Sequence, residues 1–267
     1  AISVSSSLMS PLSKLSWRFL MSVSPRREVL RAFDSPSDTE ATEMAKVLDW
    51  RRDIAEGLFW VALSLLLSWL ALPHLPERVP IHFNARWQPD GWSSKATVVW
   101  LVPVMQASVW AVLTVCLWLA GTEKGQLQLD EKGQQWLRWL RSWIGVFFVA
   151  LHGSVLAVGL GWLSSPRPIL MPALGLLFLA VGKALPHLPR NWVAGVRLPW
   201  TVVDERVWTP VHRVAGQGFL AVGLGFLVAP LLPFWWDFVP FIGLVALILA
   251  LFGYAYWLYR RIGWSGS

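Results

Sequence analysis

The sequence is poor in the residues from which soluble enzymes and disulfide scaffolds are built. A single cysteine, Cys116, occurs in 267 residues, which excludes a disulfide framework and a thiolate metal cluster and leaves Cys116 as a small core residue. Asp and Glu together number 16, and charged residues make up 15% of a chain that is 55% hydrophobic, with a mean hydropathy of +0.49. That is too little polarity to cover a soluble surface. There is no nucleophile elbow, no phosphate-cradling glycine loop and no carboxylate pair within an apolar run, so neither a catalytic site nor a cofactor is expected. His74, His82, His152, His187 and His212 contain no pair at zinc spacing, and no metal site is expected. The net charge is +7, yet no basic helical face is interleaved with aromatics, so direct nucleic-acid binding is not expected either.

Long apolar runs are what the sequence does have. A hydrocarbon core about 30 Å thick takes about 20 residues of helix, and six runs of that order fall at 54–72, 97–120, 143–163, 169–185, 214–232 and 234–259. None alternates with a period of two, so a closed barrel is excluded and helices remain as the way to satisfy the backbone in lipid. The fold class is therefore an all-α integral membrane protein with six transmembrane helices, and the lipid bilayer is its first partner. Of the 23 Lys and Arg residues, all but Arg78, Arg86, Lys95 and Arg167 fall on the side that holds the two chain ends. By the positive-inside rule this puts both termini in the cytoplasm. Trp143, Trp235, Trp236 and Trp257 fall at the ends of runs, as interfacial anchors do.

Residues 1–43 differ from the rest. They are Ser-rich, first basic and then acidic, and read as a flexible extension with a short amphipathic surface helix around 12–30 as an alternative. Residues 44–267 read as the membrane domain. Within it, Ala71-Leu72-Pro73-His74-Leu75-Pro76 ends the first run and Ala184-Leu185-Pro186-His187-Leu188-Pro189 ends the fourth. Each copy is followed by a polar loop and two more runs, which points to two inverted three-helix halves. The alternative is a coincidence of Leu and Pro at helix ends.

The first loop runs from Leu75 to Trp92. Pro76, Pro80 and Pro89 restrict it, Pro89-Asp90-Gly91 signals a turn, and 79–84 suits a short extended segment. The second runs from Asn191 to Arg213, where Thr201 and Asp204 resemble a capping box that predicts a short helix from about Val202 to Pro210, with Val203 and Val207 toward the membrane. Arg197, Arg206, His212 and Arg213 cluster there, either against anionic headgroups or, with Trp200 and Asn191, as a docking surface for a soluble partner.

These loops resemble the SdpI family of bacterial membrane immunity proteins over roughly 54–260. The first carries Leu-Pro-x-x-Val-Pro-x-His-Phe-Asn, which here includes Pro76, Pro80, His82, Phe83 and Asn84, followed by Pro89 and Asp90. The second carries Asn191, Gly195, Arg197, Pro199, Trp200, Thr201, Val207, Trp208, His212, Arg213 and Gly216 at the family's spacing, with departures at Lys183, Leu198 and Pro210. The resemblance implies resistance to an extracellular membrane-active peptide toxin met at the outer loop. It also implies, in some members, signalling by holding a cytoplasmic repressor at the inner loop. The inverted halves keep a small secondary transporter open as an alternative, as does an accessory subunit of a larger membrane complex.

Inside the bilayer, His152 sits mid-run, where a polar side chain marks a functional candidate, with Gln106 at similar depth as the expected hydrogen-bond partner. Glu56 and Lys183 lie near run ends and are expected to snorkel. Gly153, Ala157 and Gly161, and Ala221, Gly225 and Ala229, are spaced for close helix packing.

Overall fold

The computed structural model describes residues 50–122 and 129–263. The extension and the alternative surface helix expected before residue 44 lie outside the described residues. Among the described residues, six helices are long and apolar enough to cross a membrane: α1 (Trp50–Ala71), α2 (Lys95–Thr122), α3 (Glu131–Gly159), α4 (Arg167–Ala184), α6 (Glu205–Val228) and α7 (Phe238–Gly263), with the short α5 (Pro199–Val203) between α4 and α6. A two-stranded antiparallel hairpin, β1 (Arg78–Phe83) and β2 (Pro89–Ser94), joins α1 to α2. The protein is an all-α multi-pass membrane protein. Its chain packs as α1, α2 and α3 together, then α4, α6 and α7 together, with α3 against α4.

Two helices begin well before the expected spans, each from an acidic cap, and in α3 buried charge adds to it. Asp130 caps α3, its carboxylate accepting from the Gly133 amide at 2.7 Å, so the helix holds Arg138 and Arg141 ahead of the uncharged run. Asp204 caps α6, accepting from the Arg206 amide at 2.8 Å. The short helix therefore does not run from Val202 to Pro210: it spans 199–203, and Pro210 lies inside α6. Proline in a helix interior costs about 3 kcal/mol, which is offset here by the burial of Val207, Trp208, Val211 and His212 along one face. Val207, expected to face the membrane, is 0% exposed, whereas Val203 is 63% exposed.

The repeated hexapeptide takes one conformation twice. Both copies turn from the end of a long helix into a 3-10 turn, at Leu72–His74 and at Leu185–His187. The continuations differ, a hairpin after the first and the 191–204 loop after the second. The two copies lie at opposite ends of the bundle. Leu75 and Val79 pack with Val155 and Leu156 near the end of α3, while His187 stacks on Trp136 near its start, with centroids 4.4 Å apart.

Of the glycines the spacing suggested, only Gly225 packs closely, a Cβ there falling 3.2 Å from Pro240 of α7. A Cβ on Gly153 would meet nothing within 4 Å, and Gly161 lies past the end of α3 at φ +74°. Among the described glycines, backbone comes closest to backbone between α4 and α6. A Cβ on Gly182 would lie 2.8 Å from the Gly216 carbonyl, and one on Gly175 would lie 2.9 Å from the Gly223 carbonyl. Two glycine pairs a heptad apart thus set this crossing.

Candidate functional site

At the hairpin end, Asn84 organises the turn. Its Oδ1 accepts from the amides of Arg86 at 2.9 Å and Gln88 at 3.1 Å, and this holds Trp87 at φ 63°, a conformation rare for a bulky side chain. The Trp87 indole N–H then reaches Asp237, between α6 and α7, at 2.6 Å. Asp237 also receives Arg167 Nε at 2.8 Å and Nη2 at 2.9 Å. The same guanidinium caps the carbonyls of Ala229 at 2.8 Å and Leu232 at 2.7 Å, where the helix α6 has run out of internal donors. The hairpin of the first half is thereby tied to the second. His82 and Asp90 face each other across the strands, Nδ1 to Oδ1 at 2.5 Å. Both are exposed, as are Pro76 and Asn84, while Pro80 and Phe83 are half-buried.

At the opposite end, the 191–204 loop is folded on its own polar groups. Asn191 is 0% exposed: its Oδ1 accepts from the amides of Val193 at 2.7 Å and Ala194 at 2.8 Å, and its Nδ2 donates to the Pro189 carbonyl at 2.7 Å. Gly195 has φ +116°, and a Cβ there would fall 2.2 Å from His212 Nε2, so both backbone and neighbour require glycine. The Val196 amide donates to His212 Nε2 at 3.0 Å. That nitrogen is therefore the acceptor, and Nδ1–H donates to the Trp208 carbonyl at 2.9 Å. The His212 ring stacks on Trp208, centroids 3.8 Å apart, and the Trp208 indole donates to the Leu188 carbonyl at 2.9 Å. Thr201 Oγ1 accepts from the Leu198 amide at 2.8 Å and donates to the Val196 carbonyl at 2.6 Å.

The residues expected as an inner-loop docking set therefore divide. Asn191, Thr201, Trp208 and His212 are buried and build the loop; Trp200 is half-buried, edge-on to Tyr256 at 5.5 Å. Gly195, Arg197, Pro199 and Arg213 are exposed, with Trp192 56% exposed beside them. The Arg197 guanidinium donates to the Trp192 carbonyl, which orients that pair as one surface. Arg206 lies beside Asp204, Nη2 to Oδ2 at 2.8 Å, and holds its carboxyl below the usual carboxylate range.

Within the bundle, His152 and Gln106 do not bond to each other. Each meets a serine of α1: Ser64 Oγ donates to Gln106 Oε1 at 2.6 Å, and Ser68 Oγ lies 2.7 Å from His152 Nε2 and 2.7 Å from the Val99 carbonyl. The serines were not singled out in the sequence, although four-residue spacing puts them on one helix face.

A cluster of buried charge also went unread. Asp53 accepts from Arg138 Nε at 3.0 Å and Arg141 Nη2 at 2.6 Å, and Arg141 also reaches Glu56 at 2.9 Å. Ser142 donates to Glu56, and the Arg141 guanidinium lies 4.6 Å over the Trp110 ring. Glu56 is thus engaged inside the bundle, not snorkelled outward. The i, i+3 spacing of Asp53 with Glu56, and of Arg138 with Arg141, was the available signal: each pair shares a helix face.

Two segments match known families. Residues 59–107, which hold the second part of α1, the hairpin and the start of α2, match a domain of unknown function, DUF1648. Residues 187–256, which hold the 191–204 loop, match the SdpI/YfhL protein family. The chain is also 27% identical to the Immunity protein SdpI of Bacillus subtilis (strain 168) over 191 residues, 72% of this chain and 86% of that protein. These matches agree with the resemblance carried by the two loops. No solved structure gives a significant match. The buried hydrogen bonds of Asn191, Thr201, Trp208 and His212, with the positive φ of Gly195, give a structural reason for much of the motif that carried the resemblance.

Proposed function

We propose that this protein is a membrane immunity protein that gives a bacterium resistance to a membrane-active peptide toxin. The observation that carries this reading is the similarity to the Immunity protein SdpI across 86% of that protein's length. The skew of Lys and Arg toward one side supports an orientation with both termini in the cytoplasm, which places the hairpin outside and the 191–204 loop inside. The hairpin then offers the toxin an exposed, amphipathic rim: His82, Asn84 and Asp90 with Ile81 at 37% and Trp92 at 48% exposure. The exposed Arg197, Pro199 and Arg213 are the surface on which a cytoplasmic regulator would be held.

Expression in Bacillus subtilis lacking its own SdpI tests the reading. Survival beside toxin-producing cells is the expected result; killing equal to that of an empty-vector strain, with the protein present in the membrane, overturns it. Trp92→Ala and Asp90→Ala are expected to lower protection at unchanged membrane levels. Orientation is read in a Cys116→Ser background: Ala85→Cys should react with an impermeant maleimide in intact cells and Arg197→Cys only after permeabilisation.

A further inference from the structure

Pro103 lies inside α2 and has no amide hydrogen, so the Val99 carbonyl one turn earlier lacks its regular helical donor. The Ser68 hydroxyl takes that place at 2.7 Å. A serine hydroxyl carries one proton, and this one is committed to Val99. In the 2.7 Å contact between Ser68 Oγ and His152 Nε2, serine is then the acceptor and histidine the donor. That sets His152 as the Nε2–H tautomer and leaves Nδ1 as a lone pair. Nδ1 has no hydrogen-bond partner among the described residues, in a side chain that is 0% exposed. One turn back on α1, Ser64 gives its proton to Gln106 Oε1, and Gln106 Nε2, in a residue 1% exposed, has no acceptor. Ser64 and Ser68 share a face of α1 with a rise of about 6 Å between them, so the residues that carry the unpaired acceptor and the unpaired donor pack one turn apart against α1, in a polar layer contributed by α1, α2 and α3.

We propose that this layer is a binding site for a water molecule that accepts from Gln106 Nε2 and donates to His152 Nδ1. A cation would meet the amide hydrogens of Gln106 and an anion the Nδ1 lone pair. The ligand is therefore a neutral molecule that both donates and accepts, of a size to bridge groups about one helical turn apart. With it in place a single hydrogen-bonded chain runs from the Val99 carbonyl through Ser68, His152, water and Gln106 to Ser64, and both orphaned atoms gain a partner.

The test uses the full chain in lipid bilayers with isotopically labelled histidine, read by solid-state nitrogen NMR, with His152 assigned by difference from His152→Asn. The expected result is one Nε2–H tautomer whose Nδ1 signal is displaced from the bare-acceptor position and receives magnetisation from water. A Nδ1–H tautomer, or a bare Nδ1 with no transfer from water, overturns the proposal. Two variants extend it. Pro103→Ala returns an amide hydrogen to Val99 and releases the Ser68 proton, so a Nδ1–H signal should grow in; an unchanged tautomer refutes the proton count. Gln106→Leu should reduce water transfer to His152 several-fold while the tautomer holds, and undiminished transfer refutes the bridge. The other histidine signals report whether each variant is folded.

Discussion

Trp87 and Asp237 lie 150 residues apart in the chain and are joined by a 2.6 Å hydrogen bond. The bond is charge-assisted, because Asp237 also pairs with Arg167 at 2.8 Å and is 4% exposed. It couples the hairpin, an insertion between the first two spans, to the turn between the last two. A ligand that moves the hairpin therefore acts directly on the end of α6, whose other end carries the 191–204 loop.

Trp87→Phe keeps the ring and removes the donor. The expected loss is about 1.5–3 kcal/mol, the worth of a hydrogen bond to a charged group. Trypsin cleavage after the exposed Arg86 should become faster in the variant, and unaltered cleavage would mean that the indole contact does not hold the hairpin.

Asp53 receives two guanidinium groups in a buried setting, so Asp53→Asn leaves Arg138 and Arg141 without their shared charge. Breaking such a pair costs about 3–5 kcal/mol. Adding Arg138→Gln should recover part of that loss, with a coupling of about 0.5–3 kcal/mol, measured by thermal unfolding in detergent. Simple additivity of the two substitutions would count against a shared network.

Gly182→Ala places a methyl group 2.8 Å from the Gly216 carbonyl and should cost about 1–3 kcal/mol through overpacking. Gly153→Ala meets open space and should leave the melting temperature unchanged or raised, since alanine is the better helix former. Equal effects at the two sites would refute the α4–α6 contact.

Asp204 caps α6 and its carboxyl is held below the usual range, first by the side-chain bond from Arg206. Its contribution is present above the unfolded carboxylate pKa and is lost as pH falls through the lower folded value. Removal of the cap by Asp204→Ala should cost about 1 kcal/mol at neutral pH. The difference between variant and parent should shrink toward acid; a gap that widens on acidification would contradict this sign.

Much of the architecture was legible because lipid is a demanding solvent. Six uncharged runs imply six helices, and the runs from 54 and from 234 agree with α1 and α7 within a few residues. The early starts of α3 and α6 were not legible, since a search for uncharged runs stops at Arg141 and Arg213. These helices carry their charges inward against Asp53 and Glu56 or outward at the loop end, and hydropathy does not record direction. The motif positions were visible as a spaced pattern, but the pattern mixes two kinds of residue. Asn191 and His212 are there to hold a backbone, and Arg197 is there at the surface.

The sequence by itself determined the solvent, the helix count and the positions of the two loops, because these follow from run length, charge and proline placement along one dimension. Only the tertiary structure decided which glycines touch, that His152 and Gln106 meet separate serines, and that Trp87 reaches Asp237. Those contacts join residues 34 to 150 positions apart, and no local periodicity encodes a partner at that distance. The choice belongs to how six helices share one interior, where each buried donor must find an acceptor.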